Sequence, residues 1–193
     1  ADGPLWYQRY ATRQMDPNRE ALDAGLEAGA QAFVVTIDQQ ASYYERDLHV
    51  RHLGGRPRQV QQRTPRNPPN PYRVGASRLW YEWTLFDDLR PMLEVPMLAK
   101  GILTGDGAKK CLEHGVDGII ISNHGGRALD YGPSTLEVLA EVVEAVGGRV
   151  PVLIDSGFRR GADVLKALAL GADAVCLGRA SRRGLGAFGE PGA

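Results

Sequence analysis

The alternation between residues 95 and 178 constrains this chain more than any other feature. "VPMLAKG" (95–101), "DGIIIS" (117–122), "VPVLID" (150–155) and "ADAVCLG" (172–178) are short apolar runs. Between them lie "TGDGAKKCLEHG" (104–115), "PSTLEVLAEVVEAVG" (133–147) and "GADVLKALALG" (161–171), each with helical spacing. A run that is apolar on both faces suits a parallel strand buried between layers, so the rhythm predicts β-α-β-α-β-α-β. Gly115, Gly147 and Gly171 would close the three helices in left-handed backbone. The first third adds a strand at "LWYQRY" (5–10) and another at "AFVVTID" (32–38). Between these lies a helix at "DPNREALDAGLEAGA" (16–30), with Asp16 as its cap and Pro17 in its first turn. The expectation is one α/β unit with six strands, spanning residues 1–193.

The rhythm breaks between Asp38 and Glu94. From Leu48 to Tyr81 there is no acidic residue, yet seven arginines and five prolines occur. Proline density on this scale opposes regular structure, so a long Arg/Pro-rich loop is expected at about 39–79. Its plain reading is a solvated insertion; its functional reading is an electropositive cover that attracts an anion. "RLWYEWTLFDDL" (78–89) resumes helical spacing.

In parallel α/β folds the chemistry collects at the carboxyl ends of the strands. The six runs end in Gln8 and Tyr10; Thr36 and Asp38; Lys100; Ser122, Asn123 and His124; Asp155; and Gly178 with Arg179. A lone lysine there is usually solvated, and a lone aspartate usually caps a helix. Lys100, His124, Asp155 and Arg179, however, end four successive strands. "DSGFRRG" (155–161) and "LGRA" (177–180) each join glycine to arginine, a pairing suited to a phosphate. Lys100 suits a fixed cation beside an electron-accepting ring. His124 suits a general base, oriented by Asp38, and Arg127 could hold a carboxylate through two parallel bonds. A held carboxylate, a C–H beside it, a base and an acceptor ring together suit oxidation of an α-hydroxy acid.

"LAKGILT", "SNHGGRALDY", "DSGFRRGADVLKALALGA" and "LGR" resemble the FMN-dependent α-hydroxy-acid oxidases and dehydrogenases. The resemblance runs from "WYQRY" at residue 6 to "GLGAFGEPG" near the end. It implies a TIM (β/α)8 barrel, here incomplete, with strands three to eight present and no helix after the last. A complete barrel takes about 250 residues, and the chain has 193, so a fragment of a longer enzyme is expected. The implied catalytic pair is His124 with Asp38, and the implied substrate contacts are Tyr10 and Arg127. Gln8, Thr36, Lys100 and Ser122 would meet the flavin ring or ribityl chain. Asp155, Ser156, Gly157, Phe158 and Arg159 would line the ribityl-phosphate site, closed by Gly178 and Arg179. The implied reaction takes an (S)-2-hydroxy acid to a 2-oxo acid, by hydride transfer or through a carbanion. Oxygen, a quinone or another protein would reoxidise the FMN. A homotetramer is implied for the full-length protein. Two departures stand out: Tyr44 occupies the place of a second substrate-binding arginine, with Arg46 two residues on, and Ser156 replaces a more usual glycine.

Composition narrows the alternatives. Twenty-three basic and 23 acidic side chains balance, which argues against a general nucleic-acid binder. No apolar run approaches the roughly 20 residues of a membrane span, and no secretory signal pattern opens the chain. Cys111 and Cys176 form neither a disulfide framework nor a zinc spacing. Both read as buried, inert thiols, and the setting as cytoplasmic. Two other readings stay open: a different FMN barrel, such as a type 2 isopentenyl-diphosphate isomerase, and a catalytically silent barrel fragment that binds through its basic loop.

Overall fold

The computed structural model of the protein describes residues 3–38, 81–127 and 131–192. The expected Arg/Pro-rich loop, with Tyr44 and Arg46, lies outside the described residues. Six strands form one sheet: β1 (Leu5–Arg9), β2 (Ala30–Thr36), β3 (Met97–Ile102), β4 (Gly118–Ile121), β5 (Val152–Ile154) and β6 (Ala174–Val175). They pair in chain order, and every pair is parallel. The helices are α1 (Met15–Glu27), α2 (Thr84–Leu89), α3 (Gly105–Glu113), α4 (Thr135–Val146), α5 (Gly161–Ala169) and α6 (Arg179–Phe188).

Strand order that never reverses puts every right-handed crossover on one face of the sheet. The two faces are accordingly unequal. The outward residues Phe33, Val35, Met97, Ala99, Ile119, Ile121, Val152 and Ile154 join the helices in the larger core. The inward set is smaller: Ala32, Val34, Leu98, Ile120 and Leu153. A sheet with helices outside and a thin apolar lining inside is a curled part of a barrel. Continuing the period of two along each strand, the next inward residues are Thr36, Lys100, Ser122 and Asp155. The apolar lining is thus succeeded by a layer of polar groups at the carboxyl rim.

Local signals account for most boundaries. Ser134 caps α4 through a capping box with Glu137, and Thr104 caps α3 by accepting from the Gly107 N–H. Gly115, Gly147 and Gly171 all take positive φ after their helices, as expected. Asp16 does not cap α1: Gln14 stands at the cap without a side-chain bond, and Asp16 lies in the first turn, where its charge faces the helix dipole. The strand expected over 172–178 shrinks to Ala174–Val175, because β6 has one neighbour and its side chains stay largely exposed. A helix was not expected after the last strand, but α6 follows at once. Its glycines and arginines hide it in sequence, and none of its residues is buried.

Candidate active site

His124 and the two residues after it all have left-handed backbone, with φ of 58°, 67° and 74°. Only glycine adopts this readily, which explains why two glycines follow the histidine. The turn is secured by the Gly126 N–H, which donates to the Asn123 carbonyl at 3.0 Å. It reverses the chain at the end of β4 and aims the imidazole across the rim. There the His124 Nδ1 lies 3.0 Å from Asp38 Oδ1. A carboxylate at that distance keeps the proton on Nδ1 and leaves the Nε2 lone pair available. The Tyr10 hydroxyl, 3.3 Å from Nε2, donates to it. Burial, and then the Asp38 carboxylate, push the Tyr10 phenol above its usual pKa, while the Arg127 guanidinium pulls the other way. Tyr10, Asp38, His124 and Arg127 therefore share one electrostatic neighbourhood, although they come from three separate segments.

Asp38 approaches this closely because of Gly101. That residue has φ of 111°, and a Cβ built on it would lie 2.6 Å from the Asp38 Cβ. The β3–β4 register shifts between Lys100 and Ile102, so Gly101 is a bulge that admits the aspartate. Sequence reasoning missed this glycine; its signal is a glycine inside an apolar strand, directly after a lysine.

A second group lies beside the first. Lys100 is buried, and its Nζ donates to Ser122 Oγ at 2.9 Å and pairs with Asp155 Oδ2 at 3.2 Å. Ser122 Oγ also accepts from the His124 N–H at 3.1 Å. Ser156 donates to Asp155 Oδ1 at 2.6 Å and accepts from the Gly125 N–H at 3.0 Å. The hydroxyl of Thr135, another residue that sequence did not flag, holds the Asp155 carbonyl at 2.7 Å. Arg179 reaches back to donate to the Gly125 carbonyl at 2.7 Å. Gln8 donates to the buried Thr36 hydroxyl at 2.8 Å.

These groups border a cleft of about 680 Å³, within the usual range for a cofactor site. Gln8, Lys100, His124, Arg127, Asp155, Ser156, Gly157, Phe158, Arg159, Gly178 and Arg179 line it. Thr36 and Ser122 do not line it themselves; each serves a residue that does. Tyr10 and Asp38 stand behind and beside the imidazole. Trp6, Cys176, Arg182 and Arg183 also line the cleft. Cys176 is therefore not the buried thiol expected, being half-exposed at the cleft wall, whereas Cys111 is fully buried.

A curled parallel sheet whose strand ends gather an imidazole, a buried lysine and several arginines around a cofactor-sized cleft is part of a (β/α) barrel with a site at its carboxyl rim. The chain belongs to the FMN-dependent dehydrogenase family, whose profile matches residues 1–193. It is 43% identical to a peroxisomal (S)-2-hydroxyacid oxidase of Arabidopsis thaliana, over 96% of this chain and 53% of that protein. It is 38% identical to the (S)-mandelate dehydrogenase of Pseudomonas putida, over 99% of this chain and 56% of that protein. A mandelate oxidase structure with (S)-2-phenylpropionate superposes with a TM-score of 0.80 at 33% identity, covering 98% of this chain and 53% of that one. The chain thus spans about half the length of the relatives it matches. Among the described residues, no helix is long and apolar enough to cross a membrane.

Proposed function

We propose that the full-length protein containing this chain oxidises an (S)-2-hydroxy acid to the 2-oxo acid with FMN, and that these strands are the third to eighth of its barrel. The observation that carries this reading is the relay from Asp38 through the His124 imidazole to the cleft, with Arg127 at the same rim. The residues present fit FMN. A buried lysine on the inner wall suits an electron-accepting ring that gains negative charge on reduction. The left-handed backbone at Ser156 and Gly157 and the guanidiniums of Arg159 and Arg179 suit a ribityl phosphate. Bound there, FMN would supply the two-electron acceptor that no side chain provides.

The chain's own part is positioning and proton transfer. Arg127 holds the substrate carboxylate, and the Tyr10 hydroxyl turns from Nε2 to the substrate's hydroxyl oxygen. His124 Nε2 accepts one proton, from the hydroxyl or from the α-carbon. The resulting imidazolium is stabilised through Nδ1–H by Asp38, whose side chain is only 8% exposed. Lys100, held between Ser122 and Asp155, favours added negative charge beside it. Oxygen or another acceptor completes the cycle.

The test is anaerobic mixing of the FMN-loaded, full-length protein with a panel of 2-hydroxy acids. Bleaching of the flavin absorbance identifies the substrate. The His124→Ala variant should bleach at least about a hundredfold more slowly, the usual loss when a general base is removed. Bleaching at the wild-type rate would remove His124 from its role.

A further inference from the structure

Arg182 and Arg183 line the same cleft, yet the oxidation reading gives them no task. They follow Arg179 on α6 at spacings of three and four, which places all three guanidiniums on one helix face. Arg159 lines the cleft from the loop before α5. Four arginines thus converge on the phosphate end. None of them forms an ion pair among the described residues. The carboxylate that lines the cleft, Asp155, is already committed to Lys100. The first turn of α6 contains no acidic residue, so nothing there offsets the repulsion among the three. One phosphate is satisfied by two guanidiniums, each presenting two parallel donors. Arg159 and Arg179 suffice for a ribityl phosphate, and Arg182 and Arg183 are left over.

We propose that Arg182 and Arg183 form a second phosphoryl subsite at the mouth of the cleft, beside the one that takes the ribityl phosphate. The second group belongs to a diphosphate-extended flavin or to a separate phosphate ion held alongside FMN. The placement of the first phosphate rests on the FMN reading above; the charge surplus does not.

Titration calorimetry of the full-length protein with inorganic phosphate and inorganic pyrophosphate tests the subsite without flavin. Pyrophosphate should bind at least about tenfold more tightly, the return expected from one further charge-assisted contact. Arg182→Ala/Arg183→Ala should erase that margin. Both positions are exposed, so the fold should survive, as circular dichroism would verify. FMN affinity, read from quenching of flavin fluorescence, should stay within about fivefold in the double variant, the range of one exposed charge pair. Preference for FAD over FMN, lost in the double variant, would mark the second group as part of an extended flavin. Phosphate binding to the FMN-loaded protein with the same sensitivity would mark a separate ion. Equal affinities for phosphate and pyrophosphate in the wild type would overturn the subsite. So would a double variant that weakens FMN as much as pyrophosphate, since the arginines would then serve the first phosphate. Pyrophosphate selectivity without any FMN binding would instead sink the cofactor reading and leave the subsite standing.

Discussion

Gly101→Ala tests how the site is built, because two costs meet at one position. The first is backbone strain: φ is 111°, and an L-residue held in such a conformation costs about 1–3 kcal/mol. The second is overlap. The new methyl would lie 2.6 Å from the Asp38 Cβ, about 1 Å inside ordinary carbon–carbon contact, and overpacking of this kind costs about 1–3 kcal/mol. Their sum, about 2–6 kcal/mol, is a large share of a typical domain's stability. Gly29→Ala supplies the control. Gly29 has φ of 84° but nothing within 4 Å of its built Cβ, so it carries the first cost alone. Urea unfolding followed by circular dichroism should show Gly101→Ala less stable than Gly29→Ala by about 1–3 kcal/mol, the overlap cost. The fold could instead yield by moving Asp38. The stability gap would then narrow, but His124 would lose its Nδ1 acceptor and substrate-driven flavin bleaching would slow while Gly29→Ala stayed near wild type. Equal stability of the two variants together with unimpaired bleaching would refute the proposed dependence of Asp38 on the bulge.

Ser156 has φ of 75° and makes two hydrogen bonds through its hydroxyl. Ser156→Ala keeps the strain and loses both bonds, so it should destabilise by about 1–3 kcal/mol in urea unfolding. Ser156→Gly loses the same bonds but relieves the backbone, and it should be more stable than Ser156→Ala by about 1 kcal/mol. Burial pushes the Cys111 thiol up to about 12. Cys111 should therefore resist iodoacetamide at pH 8 in the native protein, and half-exposed Cys176 should react first, as mass spectrometry of the labelled peptides would show. Because the folded pKa of Cys111 exceeds its unfolded value, the folded state binds more protons above pH 9. Stability should be fully present below that pH and fall as the pH rises toward 12, and the raised phenol of Tyr10 adds to the loss above pH 10.

The sheet was legible in the sequence because its strands are buried on both faces. Runs such as "GIII" at 118–121 leave few other ways to hide three successive branched side chains. The rim was legible for the same reason: a polar residue directly after such a run has only the strand end to occupy. Lys100, Ser122 and Asp155 were found in this way. What escaped was set by tertiary contact. The importance of Gly101 depends on Asp38, which is 63 residues away in the chain. Helix α6 buries no residue, so no apolar stripe announces it. The ends of β6 depend on a neighbour and not on its own apolar character.

The two halves of the site are not independent. Ser122 Oγ accepts from both the Lys100 ammonium and the His124 N–H. From Lys100 the connections continue to Asp155, to Ser156, and through Gly125 N–H back to the residue after His124. The result is a closed ring of polar contacts joining the buried lysine to the backbone that carries the His124 imidazole. Arg179 fastens the same turn from the start of α6, through the Gly125 carbonyl. A base must stand within hydrogen-bond reach of the proton it removes, and left-handed backbone at three successive residues would not fix it there unaided. The ring does so by referring the imidazole to Lys100, the residue proposed to border the flavin. Loss of Ser122 or Ser156 would therefore shift the His124 imidazole relative to Lys100 without changing the imidazole's own chemistry.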